Sequence, residues 1–146
     1  MIAYSNCLRV GEMLAPPLRI YLTGNVCLEA DGSVLDERQL PRRQGRLAMA
    51  VLALEHTRAI SRDELAEALW PDELPAAWDV AVRALISKLR SALRRFNWPY
   101  AEPIEAAFGA YQLRLPPAMW IDIEAAQNSV HRAEAIESRG VVGFAA

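Results

Sequence analysis

The chain is poor in the residues that build metal sites and disulfides. Its 146 residues include two cysteines and two histidines, and Cys7 and Cys27 do not have the spacing of metal ligands. Their even number permits a disulfide, although such bonds are rare in cytosolic proteins. A glycine-rich phosphate loop, an HExxH motif and a nucleophile elbow are all missing. The sequence therefore predicts no metal site, no cofactor and no enzymatic activity.

Long apolar runs are missing as well. No run reaches the roughly 18 residues of a membrane span, and the first residues lack the basic and apolar regions of a signal peptide. We therefore expect a cytoplasmic protein without a membrane partner. The net charge of −2 argues against a general nucleic-acid coat protein, but it leaves room for a binder whose contacting face is locally basic. Residues 1–17 show no period and predict a flexible arm.

Acidic residues are absent between positions 80 and 95, where the charged residues are all basic. A helix is predicted at 76–96, because its apolar side chains recur every three or four residues and share one face. A second stripe on this helix holds Arg83, Ser87, Arg90 and Arg94. A helix that docks by one face and is basic on the other is suited to a polyanion, although a basic stripe can also be an ordinary solvated face.

A shorter helix is predicted just before it. Ser61 and Glu64 have the spacing of a capping box, in which each side chain bonds the backbone amide of the other residue. Trp70-Pro71 ends this helix. Turn and periodicity signals predict the remaining elements: strands at 18–22, 26–30 and 33–35, a fourth strand near 38–40, a helix at 44–56, a hairpin with arms at 103–107 and 111–115, and a last helix from 121 to about 139.

This order resembles the OmpR/PhoB-type winged helix-turn-helix, an α+β fold with a small amino-terminal sheet, three helices and a hairpin called the wing. The motifs that carry the resemblance are Ser61-Arg62-Asp63-Glu64-Leu65 with Leu69-Trp70, Ile86-Ser87-Lys88-Leu89-Arg90-Ser91-Ala92-Leu93, and Gly109-Ala110-Tyr111-Gln112-Leu113. Trp120-Ile121-Asp122-Ile123 resembles the start of the bacterial transcriptional activator domain. The whole is similar to the SARP class, the Streptomyces antibiotic regulatory proteins. The resemblance implies a DNA-binding domain at 18–117 and the start of a truncated helical activator domain at 118–146.

The resemblance also implies which side chains meet double-stranded DNA. The third helix of this family enters the major groove, so Arg83, Ser87 and Lys88 are implied to contact base edges. The residues implied to contact phosphate are Arg62, Trp70, Arg90, Arg94, Arg95 and Tyr111. Trp70 and Tyr111 could instead be part of the core. The loop at 71–75 corresponds to the one that meets RNA polymerase in activating family members, and pairing of two copies on a direct repeat is expected.

The wing departs from the family pattern. Ala107 stands where the family has an arginine for the minor groove, and residues 98–111 contain Glu102 and Glu105 but no base. The resemblance implies a nucleoid-associated regulator of transcription, with activation favoured. Two alternatives stay open: a winged-helix interaction module that has lost DNA binding, and an antagonist that occupies operators without recruiting polymerase.

Overall fold

A computed structural model of the chain describes residues 18–96 and 98–142. The strands are β1 (Leu18–Tyr21), β2 (Cys27–Ala30), β3 (Ser33–Leu35), β4 (Ile60–Ser61), β5 (Ile104–Ala107), β6 (Ala110–Leu113) and β7 (Met119–Ile121). The helices are α1 (Arg42–Leu54), α2 (Arg62–Leu69), α3 (Trp78–Arg95) and α4 (Asp122–Val142). The predicted arm at 1–17 lies outside the described residues. Strands, three helices, a hairpin and a last helix follow in the expected order, which confirms the α+β fold class.

The amino-terminal sheet has the order β3-β2-β1-β7. Its first three strands are antiparallel neighbours, whereas β7 pairs with β1 in parallel, with Ile20 opposite Ile121. The fourth strand expected near 38–40 is wrong, because these residues form a turn in which the Gln39 amide donates to the Asp36 carbonyl at 3.1 Å. The sheet thus includes residues on both sides of 117/118, the predicted boundary between the DNA-binding domain and the activator domain. That domain boundary stays a prediction.

The core lies between the helices and the two sheets. Alternate residues of β1 and the apolar stripe of α3 are buried, as their periods of two and of three to four residues require. On α3 the buried residues are Val82, Leu85, Ile86, Leu89, Ala92 and Leu93. Burying each large aliphatic side chain contributes roughly 1.5–3 kcal/mol. This stripe seats α3 firmly, so its opposite face is presented to solvent on a rigid support.

Helix α2 begins with the predicted capping box. The Glu64 amide donates to Ser61 Oγ at 3.1 Å, and the Ser61 amide donates to Glu64 Oε2 at 2.9 Å. The hydrogen bond from the Ser61 amide and a second one from Arg58 lower the pKa of Glu64. Helix α3 begins at Trp78 and ends at Arg95, slightly inside the predicted 76–96. The short β4, the capped α2 and α3 form the helix-turn-helix and its lead-in.

Helix α1 begins two residues before the predicted start at 44. The Gly45 amide donates to the Pro41 carbonyl at 2.7 Å, which closes the first turn. A methyl group at position 45 would lie 2.6 Å from Cδ of Pro41. Glycine therefore allows the helix to start directly behind the proline ring.

Helix α4 is anchored to the rest of the chain by its first turn. The Asp122 carboxylate accepts hydrogen bonds from the Leu22 amide at 3.0 Å and from the amide and hydroxyl of Thr23. Burial raises the pKa of Asp122, but these hydrogen bonds outweigh it and hold the pKa below its ordinary value. Glu124 contacts His56 Nε2 at 2.9 Å. Residues 126–139 of the helix are exposed.

Candidate nucleic-acid interface

The outer face of α3 carries the three side chains that the family resemblance assigns to DNA bases. Arg83, Ser87 and Lys88 are all exposed, and the Arg83 side chain is 57% accessible. Positions 83 and 87 are one helical turn apart and share a face. Because Val82, Ile86 and Leu89 fix the opposite face in the core, these side chains point away from the body of the protein.

The amino-terminal end of this face is organised around Asp79. Its carboxylate pairs with Arg83 one turn along the same helix and accepts a hydrogen bond from Arg62 of α2 at 2.8 Å. Arg83 Nε also faces the Asp79 carbonyl at 3.4 Å. Asp79 therefore draws one arginine from each helix of the helix-turn-helix to a single point. The Asp79–Arg83 spacing of four residues is a local sequence signal for this ion pair, whereas the Arg62 contact depends on how the helices pack.

The carboxyl-terminal end is organised around Glu102, which lies between α3 and the wing. Arg94 donates to Glu102 Oε2 at 2.8 Å. Arg90 donates from Nε and Nη2 to the Ile104 carbonyl at 3.0 and 2.8 Å. Glu102 Oε1 lies 2.9 Å from Arg90 Nε, but it accepts no hydrogen bond from the described residues because that N–H points at Ile104. Arg90, 24% accessible, thus fastens the wing to α3.

Two other basic residues of α3 lie on a different side of the helix from Arg83. Lys88 and Arg95 line a shallow groove with Ser87, Ser91 and Gln39, and Arg95 also borders an adjoining groove with Arg38. Among the described residues, neither Lys88 nor Arg95 belongs to an ion pair. Their charges are therefore available to an external anion, in contrast to those of Arg83, Arg90 and Arg94.

The two aromatic residues assigned to phosphate differ in accessibility. Trp70 follows the last residue of α2 and is half-buried against the core. Tyr111 lies in β6 and is only 7% exposed, which leaves little of its surface for a phosphate. Both rings therefore pack in or against the core, the alternative that the sequence left open. Their contact with phosphate stays a prediction. The loop at 71–75 between α2 and α3 is exposed throughout.

The wing is short, slim and apolar at its end. β5 and β6 are joined by two residues, Phe108 and Gly109, both with positive φ (52° and 75°). Arg62 lies beside this turn, since its amide donates to the Gly109 carbonyl at 3.1 Å. The Phe108 ring is fully exposed. The sequence marked Gly109 as the tip but gave Phe108 no role.

Comparisons with known proteins support the fold. No family model matches the chain, and no curated protein does. The solved structure of Mycobacterium tuberculosis EmbR in complex with a low affinity phosphopeptide is similar, with a TM-score of 0.59 and 23% identity. The similarity covers 71% of this chain and 27% of that one, so this chain spans about a quarter of its neighbour. At this level of identity the likeness shows a common fold, the winged helix-turn-helix.

Within residues 18–96 and 98–142, none of the helices has both the length and the apolarity that crossing a membrane requires.

Proposed function

We propose that this chain is a sequence-specific DNA-binding module of a transcriptional regulator, which places α3 in the major groove. The observation that carries the proposal is the two-sided character of α3: one face is locked in the core, and the other exposes Arg83, Ser87 and Lys88. A helix held in this way needs no ordering when it binds, so less of the contact energy is lost. Arg83 reaches a base edge, where arginine can contact guanine through two hydrogen bonds.

Phosphate contacts supply most of the affinity. Arg94 and Arg95 are exposed along α3, and Arg62 lies in the first turn of α2, where backbone amides also favour an anion. Arg90 contributes less than its place in the stripe suggests, because its guanidinium is engaged with the Ile104 carbonyl. Trp70 and Tyr111 are assigned to phosphate as well, with Trp70 the more accessible of the two, because Tyr111 is only 7% exposed. Such contacts set register and strength without selecting sequence.

The first experiment selects bound duplexes from random DNA and then titrates affinity against salt. A DNA-binding module loses affinity steeply as salt rises, with a log–log slope of about −0.9 for each phosphate neutralised. Arg83→Ala is expected to relax base preference by about 1–3 kcal/mol. Arg94→Ala is expected to weaken binding to all sequences alike and to reduce the slope by about one. Arg132→Ala, an exposed arginine of α4, is the matched control and should bind as the unchanged chain does.

A second candidate function is a winged-helix interaction module that does not bind DNA. It is favoured by Asp79 and Glu102, which already pair with Arg62, Arg83 and Arg94. It is also favoured by a wing without a basic residue. An absence of DNA affinity even at low salt, across the whole random pool, would establish this alternative and end the first proposal.

The finer points of the proposal concern transcription. We infer that the exposed loop at 71–75 meets RNA polymerase, that regulation is by activation, and that two copies occupy a direct repeat. Residues 18–117 would then form the DNA-binding unit and 118–146 the start of a helical activator domain, in a cytoplasmic, nucleoid-associated protein. A footprint over a single half-site with one chain bound at saturation would contradict pairing. Repression in a reconstituted transcription assay would support the antagonist instead.

A further inference from the structure

The wing turn holds a large aromatic residue where the backbone and the solvent both disfavour it. Phe108 has φ 52° and a relative exposure of 108%. A two-residue hairpin turn with both φ values positive favours Asn-Gly or Gly-Gly, since a bulky side chain in the left-handed region is strained. An exposed phenylalanine ring also orders water without any compensating contact. Folding alone gives no reason for this residue, whereas a partner that takes up the ring does.

The surroundings of Phe108 restrict what that partner is. Ala106, Ala107 and Ala110 flank the turn, so the end of the hairpin is no thicker than its backbone and methyl groups. The projecting tip by itself offers one ring and three methyl groups, far less than the roughly 1,000 Å² that a stable protein interface buries. A slim projection with one ring at its apex fits a slot instead. The DNA minor groove, about 6 Å wide, is such a slot.

The position of the wing adds a second argument. Ser61 pairs with Ala110, and the Arg62 amide donates to Gly109, so the turn is mounted on the first residues of α2. The Arg62 guanidinium lies against Gly109, where an added methyl group would be 3.4 Å away, and it joins Asp79 at the start of α3. The ring, a cation and the base-contacting end of α3 thus belong to one connected surface. No carboxylate lies between positions 106 and 111.

We propose that Phe108 is an apolar wedge that enters the minor groove next to the segment contacted by α3 and partly unstacks one base step. This inference rests on the proposed function. An apolar ring would act in the wing, where the family has an arginine. Phenylalanine is among the side chains that proteins insert between base steps, with a kink toward the major groove as the result. Arg62 would hold the neighbouring phosphate while the ring enters.

The test uses the full chain and a duplex obtained by selection from random DNA, with 2-aminopurine at successive flanking steps. Binding of the unchanged chain should brighten the probe at one step and shorten the end-to-end distance measured by energy transfer. Phe108→Ala should abolish both signals and weaken binding about tenfold, in the range of a lost aromatic–base stack. The salt slope should stay the same, because phenylalanine neutralises no phosphate. Phe108→Leu, which keeps an apolar wedge, should retain part of both signals.

The control is Ile136→Ala, which removes another exposed apolar side chain, 72% accessible, from α4 and should change nothing. Phe108→Ala with unchanged affinity, probe signal and bend would overturn the wedge while leaving the proposed function intact. A Phe108→Ala effect on sedimentation of the free chain, without one on DNA, would also overturn it, in favour of a protein contact. Absence of DNA binding by the unchanged chain would overturn the proposed function and the wedge together.

Discussion

At the amino-terminal end of α3, Asp79 pairs with an arginine one turn along the same helix and with Arg62 of α2. At the carboxyl-terminal end, Arg90 and Arg94 meet Glu102, which comes from the segment that leads into the wing. Each end therefore has one carboxylate for two arginines. In the sequence the two ends look alike, as basic residues every three or four positions.

The difference lies in what the arginines do besides pairing. Arg83 is 57% accessible, and among the described residues its guanidinium forms polar contacts with Asp79 alone. Arg90 is 24% accessible and donates two hydrogen bonds to the Ile104 carbonyl of β5. The first, amino-terminal end can release Arg83 to a ligand at little structural cost. At the second, carboxyl-terminal end, Arg90 is needed to hold the wing. The basic stripe thus combines an exposed arginine with one that fastens the wing to α3.

The largest expected effect is on stability, at the second end. Arg90→Ala should lower the free energy of unfolding by about 2 kcal/mol, because it removes charged hydrogen bonds from the carbonyl of the buried Ile104 and the packing of the side-chain stem. Arg83→Ala should cost less than about 1 kcal/mol, as exposed ion pairs do. Urea denaturation of both variants measures the two costs. Equal costs would mean that the ends do not differ in the way described.

Sequence periodicity was sufficient for α3, α2 and the wing hairpin. Apolar residues at three and four positions predicted the buried stripe from Val82 to Leu93, and the Ser61–Glu64 spacing predicted the capping box. These are local signals, in which each residue acts on neighbours within one or two turns. The exposure of Arg83 follows directly, since it lies opposite the buried stripe.

Contacts between distant segments were beyond the sequence. The pairing of β7 with β1 joins residues about a hundred positions apart, and no local pattern identifies such a partner. The engagement of Arg90 with Ile104 depends in the same way on where the wing folds back. Phe108 was overlooked for another reason: the predicted arms at 103–107 and 111–115 already put it in the turn, but a turn prediction gives neither its positive φ nor the full exposure of its ring.

The second prediction concerns sequence preference, at the first end. Asp79→Asn leaves the side-chain shape intact but removes the charge that holds the Arg83 and Arg62 guanidinium groups. An arginine that is no longer held loses the fixed orientation of its planar fork, on which two-bond contact to guanine depends. Preference for the selected duplex over a scrambled one should fall about tenfold, which is 1.4 kcal/mol. Fluorescence anisotropy titrations with both duplexes measure this ratio.

Binding of Asp79→Asn to the scrambled duplex should not weaken, because the substitution removes a negative charge near the phosphates. A rise in affinity for both duplexes by the same factor would mean that Asp79 only competes with DNA and does not orient Arg83.

The smallest expected effect is on general affinity, at the second end. Glu102→Gln should raise affinity for selected and scrambled duplexes alike, by about threefold, because Arg94 then no longer has an internal anion that competes with phosphate. Glu102 is a weak competitor: it is 44% accessible, and its Oε1 accepts no hydrogen bond from the described residues. Gel-shift titrations at two salt concentrations measure the gain, which should shrink as salt rises. Arg94→Ala combined with Glu102→Gln should remove the gain, since the remaining partner of Glu102, Arg90, stays bound to the Ile104 carbonyl. A gain that persists in the double variant would mean that Glu102 acts by repelling DNA and not by holding Arg94. The two ends of α3 would then share only the number of their charges, not the way in which a carboxylate controls an arginine.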